Sequence, residues 1–210
     1  MTPPDLGFVH RYEPGETGIT LLLLHGTGAD ESDLIPLGRA VAPGAALLSP
    51  RGQVLENGMP RFFRRLAMGV FDVDDLKRRT ADLARFVEAA AEHYGIDLAR
   101  LVVVGYSNGA NIGASLLLSE PGFVRAAALL HAMVPFRPEG TPGLAGTRVL
   151  ITAGRRDPMI PFDQAEELVG ILRAGGAEVE LELAPGGHEL ATAEVEAVRD
   201  WIGRLAGDAA

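Results

Sequence analysis

The chain has 210 residues, a formal net charge of −9, 47% hydrophobic and 22% charged residues, and no cysteine. That length and composition suit one globular domain, expected over 1–210, whose core needs neither disulfides nor metal. The lack of thiols excludes a cysteine nucleophile and a zinc–thiolate site, and the acidic balance argues against nucleic acid as a partner.

The N-terminal stretch MTPPDLGFVHRYEPGE has no basic start followed by an apolar run, so it does not read as a secretory signal. No apolar run approaches the roughly 18 residues of a membrane span. The expectation is a cytoplasmic protein without stable membrane anchoring.

Short runs rich in Val, Leu and Ile alternate with helical patterns along almost the whole chain. The strand candidates are 8–12, 19–24, 45–49, 101–105, 126–130, 148–152 and 179–183. Several are apolar at nearly every position, as in strands covered on both faces. Between them, Leu83, Phe86, Val87, Ala90 and Tyr94 recur at helical spacing, as do Ala165, Leu168, Val169 and Leu172. Val195, Val198, Ile202 and Leu205 mark a last helix, with Trp201 beside the stripe as core or rim packing. The pattern predicts an α/β fold, a mostly parallel sheet of about seven strands with helices on both faces. Two segments, 50–71 and 133–146, are irregular and rich in Pro and Gly. The second is too short for a helical cap, so no cap domain is expected.

Gly105-Tyr106-Ser107-Asn108-Gly109 has the form G-x-S-x-G. Its chemistry needs a preceding strand and a following helix, so that a tight turn lifts the serine hydroxyl to the sheet edge. Leu101–Val104 and Ala110–Leu118 supply that frame. A serine needs a base to take its proton. Of five histidines, His188 in Pro185-Gly186-Gly187-His188 lies in a turn between the last strand and the last helix, where it can reach the nucleophile. His10 reads as structural or exposed, His25 as holding a glycine loop, His93 as a helix end and His131 as a residue that could line a pocket. The acid that orients the base is expected to be Asp157, just after the strand at 148–152, with Asp163 read as a helix cap.

Backbone N–H groups that stabilise a developing oxyanion are expected from Asn108, after the nucleophile, and from Thr27 in His25-Gly26-Thr27-Gly28. Phe62, Phe63, Phe71, Met133 and Met159 are candidate walls of an apolar substrate pocket. Arg61, Arg64 and Arg65 read as a solvated face, with attraction of anionic substrates as the alternative. No His/Asp/Glu grouping has metal-ligand spacing, so no metal is assigned.

These pieces resemble the bacterial carboxylesterase branch of the phospholipase/carboxylesterase family of α/β-hydrolases. The likeness is carried by Leu24-His25-Gly26-Thr27-Gly28-Ala29-Asp30, Pro50-Arg51-Gly52, the stretch from Glu56 to Phe63, Gly105 to Asn111, Asp157-Pro158 and Gly187-His188. It implies a Ser107–Asp157–His188 triad, oxyanion donors at Thr27 and Asn108, hydrolysis of small carboxylic esters without a cofactor, and a homodimer as a common assembly. Short- to medium-chain acyl esters are the expected substrates. The alternatives are an acyl thioesterase or lysophospholipase with the same triad, and a non-catalytic binding protein on the same scaffold.

Overall fold

The computed structural model describes residues 5–208, with side chains described to residue 207. In chain order the elements are β1 (His10–Glu13), β2 (Thr20–Leu24), α1 (Ile35–Val41), β3 (Ala46–Pro50), β4 (Val54–Glu56), β5 (Met59–Arg61), β6 (Arg65–Ala67), β7 (Val70–Phe71) and α2 (Val73–Tyr94). They continue as β8 (Leu101–Tyr106), α3 (Asn108–Ser119), β9 (Ala126–Leu130), β10 (Arg148–Gly154), α4 (Phe162–Ala174), β11 (Glu178–Ala184) and α5 (Thr192–Asp208). Seven strands form one sheet in the order β1-β3-β2-β8-β9-β10-β11. All neighbours pair in parallel except the antiparallel edge pair β1–β3.

Alternation within each strand divides the core. Leu22, Leu24, Val103, Leu129, Val149 and Ile151 join the cluster packed by α2, α3 and α4. Leu21, Leu23, Val102, Val104, Leu130 and Leu150 join the cluster packed by α1 and α5, which includes Trp201. Both sheet faces are thus covered, which is why these strands are apolar at nearly every position. Each fully buried Leu or Val side chain contributes about 1.5–3 kcal/mol of burial.

Local chemistry sets the helix ends. The Asp72 side chain accepts the Asp75 N–H and caps α2, and Gly95, at φ 71°, ends it in the left-handed conformation. The expected cap at Asp163 is not formed: Pro161 holds the N-cap position of α4 and Asp163 lies in its first turn. There a carboxylate favours the helix through its dipole rather than through a cap hydrogen bond. The irregular segment 50–71 folds into two small antiparallel hairpins, β4–β5 and β6–β7, at the carboxyl edge of the sheet. Residues 133–146 contain no helix or strand. No described helix is long and apolar enough to cross a membrane.

Candidate active site

Ser107 sits between β8 and α3 at φ 53° and ψ −112°, a backbone conformation unfavourable for any residue but glycine. Two close approaches force the turn. A Cβ on Gly105 would lie 2.6 Å from Gly109 O and 2.8 Å from Ala110 Cα. A Cβ on Gly109 would lie 1.9 Å from Leu24 O. The glycines of the motif are therefore steric requirements of α3 packing onto β2 and β8. The Ser107 N–H donates to Leu130 O at 2.9 Å, which ties the turn to β9.

The Ser107 hydroxyl lies 2.9 Å from His188 Nε2, and His188 Nδ1 lies 2.7 Å from Asp157 Oδ2. A carboxylate can only accept, so His188 carries its proton on Nδ1 and presents a bare Nε2 to the serine. The loop holding His188 is fixed from two sides. The Tyr106 hydroxyl donates to His188 O at 2.7 Å, and Gly154 packs so closely that a Cβ there would lie 2.1 Å from Gly187 O. Burial, reinforced by the charge of Asp157, pushes the Tyr106 phenol up to about 12, so it stays a donor.

Asp157 is saturated with donors. Oδ1 accepts the N–H groups of Met159 and Ile160 at 2.8 and 3.0 Å, and Oδ2 accepts His188 and also His131 Nδ1 at 3.0 Å. Burial alone would raise its proton affinity, but these bonds, His188 foremost, hold it below the ordinary carboxylate range. His131 has left-handed backbone, φ 55°. Its ring is fully enclosed, with Nε2 3.0 Å from Glu194 Oε1 on α5. That contact lacks well-aligned hydrogen-bond geometry, and it is an ion pair only when the ring is protonated. Glu194 Oε1 also accepts the Thr152 hydroxyl at 2.5 Å, and Oε2 accepts the Ala191 N–H at 2.9 Å.

The remaining histidines are structural or exposed. His25 donates from Nδ1 to Gly26 O and accepts the Gly52 N–H on Nε2, at 2.7 and 2.9 Å. That pattern is the neutral tautomer, and burial lowers its proton affinity accordingly. His10 bridges Phe8 O and the Tyr94 hydroxyl, and His93 is exposed at the end of α2.

The Asn108 N–H is at the first turn of α3, where no intrahelical acceptor exists. Its side-chain Oδ1 accepts the Phe62 N–H at 2.7 Å and anchors the hairpin region to the helix. Thr27 and Asn108 both line a recess of about 40 Å³ beside Ser107 and His188. Phe71, Met133 and Met159 line that recess and also a broad outer cleft of about 720 Å³. Phe62 and Phe63 do not wall the pocket: they are 2% and 0% exposed and belong to the core under α2. A consecutive aromatic pair in an irregular segment suggests pocket lining, yet both rings belong to the core cluster.

The arginine cluster splits. Arg64 is exposed and pairs with Asp72. Arg61 is buried, donating to Thr27 Oγ1 at 2.9 Å and to Phe63 O at 3.2 Å, so a solvated face does not describe it. Arg61 and Arg65 both pair with Glu56, at 3.1 and 2.9 Å, and both line the recess. Two cations share one anion there.

Among the described residues, the one grouping with ligand-like spacing is His131, Asp157 and His188, with donor atoms within 4.8 Å of one another. Both Nδ1 atoms are turned to the shared carboxylate, so the convergence is that of an imidazole–carboxylate–imidazole chain. Glu194 was not singled out from sequence. The signal available was an acid in the first turn of the last helix, six residues after His188.

Comparison with known proteins agrees with this architecture. The chain is 49% identical over 192 residues to MhqD of Bacillus subtilis (strain 168), covering 91% of this chain and 96% of that protein. Among solved structures, the Bacillus cereus carboxylesterase superposes with a TM-score of 0.90 at 46% identity over 92% of each chain. YahD, solved with malic acid, superposes with a TM-score of 0.88 at 30% identity, covering 92% of this chain and 97% of that one. Residues 13–205 match the model of the Phospholipase/Carboxylesterase family. The chain is a hydrolase of the α/β-hydrolase fold and belongs to the phospholipase/carboxylesterase family.

Proposed function

We propose that the protein is a serine carboxylesterase acting on short- to medium-chain acyl esters through an acyl-enzyme. The observation that carries this reading is the unbroken chain Ser107 Oγ–His188 Nε2–Asp157 Oδ2, at 2.9 and 2.7 Å. His188 takes the Ser107 proton as Oγ attacks the ester carbonyl. The N–H groups of Thr27 and Asn108 hold the resulting oxyanion. The Nε2 proton then passes to the leaving alcohol, the C–O bond breaks, and Ser107 is left acylated. Water repeats the sequence, giving its proton to His188, and releases the acid. Asp157 keeps the imidazole in the right tautomer and stabilises its positive form.

Pocket shape supports a small acyl group. The recess at Ser107 is narrow, whereas the outer cleft is wide and bordered by Met68, Val70 and Phe136. The alcohol portion fits the cleft. With p-nitrophenyl esters from acetate to octanoate, kcat/KM is expected to peak at four to six carbons or fewer, an order-of-magnitude reading of pocket size. Octanoate turned over as fast as butyrate would overturn the narrow-recess assignment. Thioesters and amides of equal acyl length, run beside the esters, decide between esterase and the thioesterase alternative.

The unshared positive charge of the Arg61–Arg65 pair favours a substrate with an acidic substituent, and the similar protein YahD was solved with malic acid, a dicarboxylic acid. Arg65 is the better probe, because Arg61 is buried and also holds Thr27 and the Phe63 carbonyl. Arg65→Ala is expected to raise KM for a hemisuccinate ester about fivefold, equivalent to roughly 1 kcal/mol, and to leave KM for the neutral ester unchanged. Equal KM changes for both esters would remove the acidic-substrate reading.

A further inference from the structure

We propose that His131 and Glu194 are positioning residues that extend the catalytic chain to Glu194–His131–Asp157–His188, with His131 held as an imidazolium between two carboxylates. The proposal rests on the serine-esterase reading above and goes beyond its three residues.

The geometry is specific. A surface ion pair could be incidental, but the His131 and Glu194 side chains are 0% and 2% exposed. A buried carboxylate without a counter-charge is costly, and two facing one neutral ring would be more so. Here one ring touches both acids, 3.0 Å on each side. Burial works against charging His131, but Glu194 and then Asp157 outweigh it and raise its proton affinity. Glu194 is held in the charged form in turn. Burial opposes it, and His131, Thr152 and the Ala191 N–H more than compensate. The left-handed backbone of His131 further indicates that its direction is enforced, by a strand end whose N–H donates to Thr152 O at 3.0 Å.

The consequence is electrostatic. Asp157 Oδ2 is shared by two imidazoles whose ring centres lie 5.1 Å apart. A fixed positive charge on His131 draws on the same carboxylate that steadies a proton on His188. It also opposes a second positive charge on the neighbouring ring. The charge on His131 is thus placed to act on the ring that takes the Ser107 proton. The other groups facing His131 are the Tyr106 phenol, with ring centres 5.9 Å apart, and Glu189 on the His188 loop. The phenol remains neutral and Glu189 is exposed, so neither replaces the imidazolium.

The test follows the rate of Ser107 labelling by a fluorophosphonate against pH, which needs no knowledge of the natural substrate. Glu194→Gln keeps one oxygen for the Ala191 N–H and turns its amide NH2 to the Thr152 hydroxyl, which can accept, while removing the charge that holds His131 protonated. His131→Asn removes the ring, and asparagine tolerates left-handed backbone. The acid limb of the labelling profile is expected to move up by about one pH unit in both variants. If one variant fails to fold, the other carries the test. A wild type that labels normally, with limbs unmoved or shifted down in the folded variants, overturns this inference alone, whatever the loss in amplitude. A wild type that does not label at Ser107 overturns the esterase reading and this inference with it.

Discussion

Ser107→Ala is expected to lower kcat on p-nitrophenyl butyrate by about a millionfold and to abolish fluorophosphonate labelling, with the fold retained. The substitution deletes one oxygen. His188 keeps its bond to Asp157, its loop keeps the Tyr106 anchor, and the turn keeps its tie to Leu130 O. Nothing in the packing depends on the hydroxyl, so the loss isolates chemistry from structure. The proposed oxyanion donors would still leave a residual acceleration of about a thousandfold or more over water. Retention of even one per cent of wild-type kcat would refute the assignment of Ser107. Far-ultraviolet circular dichroism of the same sample separates inactivity from misfolding.

Gly109→Ala is expected to destabilise the protein by about 3 kcal/mol or more. The added methyl would meet backbone, Leu24 O at 1.9 Å and His25 O at 2.7 Å. Backbone cannot swing aside like a lysine end, so α3 must move off β2. Every residue from Asn108 to Leu118 is buried, and the helix has no solvent side to move toward. At roughly 2–4 °C per kcal/mol for a chain of this size, Tm should fall by about 6–12 °C. Gly203→Ala, at an exposed position of α5, is the control. No atom lies within 4 Å of its added methyl, and alanine should gain up to about 1 kcal/mol of helix propensity. A Gly109→Ala protein melting within 2 °C of wild type would show that the close approach is not what excludes a side chain.

The inner strands were legible because burial on both faces leaves one chemical signature, continuous apolar runs, whereas the edge strand β11 showed itself by alternation. Their ends were less so: the run at 148–152 continues to Gly154, since Ala153 and Gly154 still pair with β11. The hairpins between Val54 and Phe71 escaped notice because strands of two or three residues cannot display a period. The convergence of Ser107, Asp157 and His188 could be read because each stands in a local frame, a strand followed by a turn, that dictates where its side chain emerges. Glu194 could not. Its pairing with His131 spans 63 residues and depends on how α5 docks beside β10, which no local pattern encodes. Phe62 and Phe63 failed for a related reason: hydrophobicity says that a ring avoids water, not which apolar space it fills.

The two non-glycine residues with left-handed backbone at the sheet edge, Ser107 and His131, follow neighbouring strands β8 and β9. Strain of this kind costs about 1–3 kcal/mol per residue, and glycine relieves it. Selection for heat resistance alone would therefore reward glycine at the very positions of the proposed nucleophile and of the His131 ring behind it. A thermostable lineage of this scaffold can be robust and chemically silent at once, so a screen for improved variants has to reward turnover and endurance together.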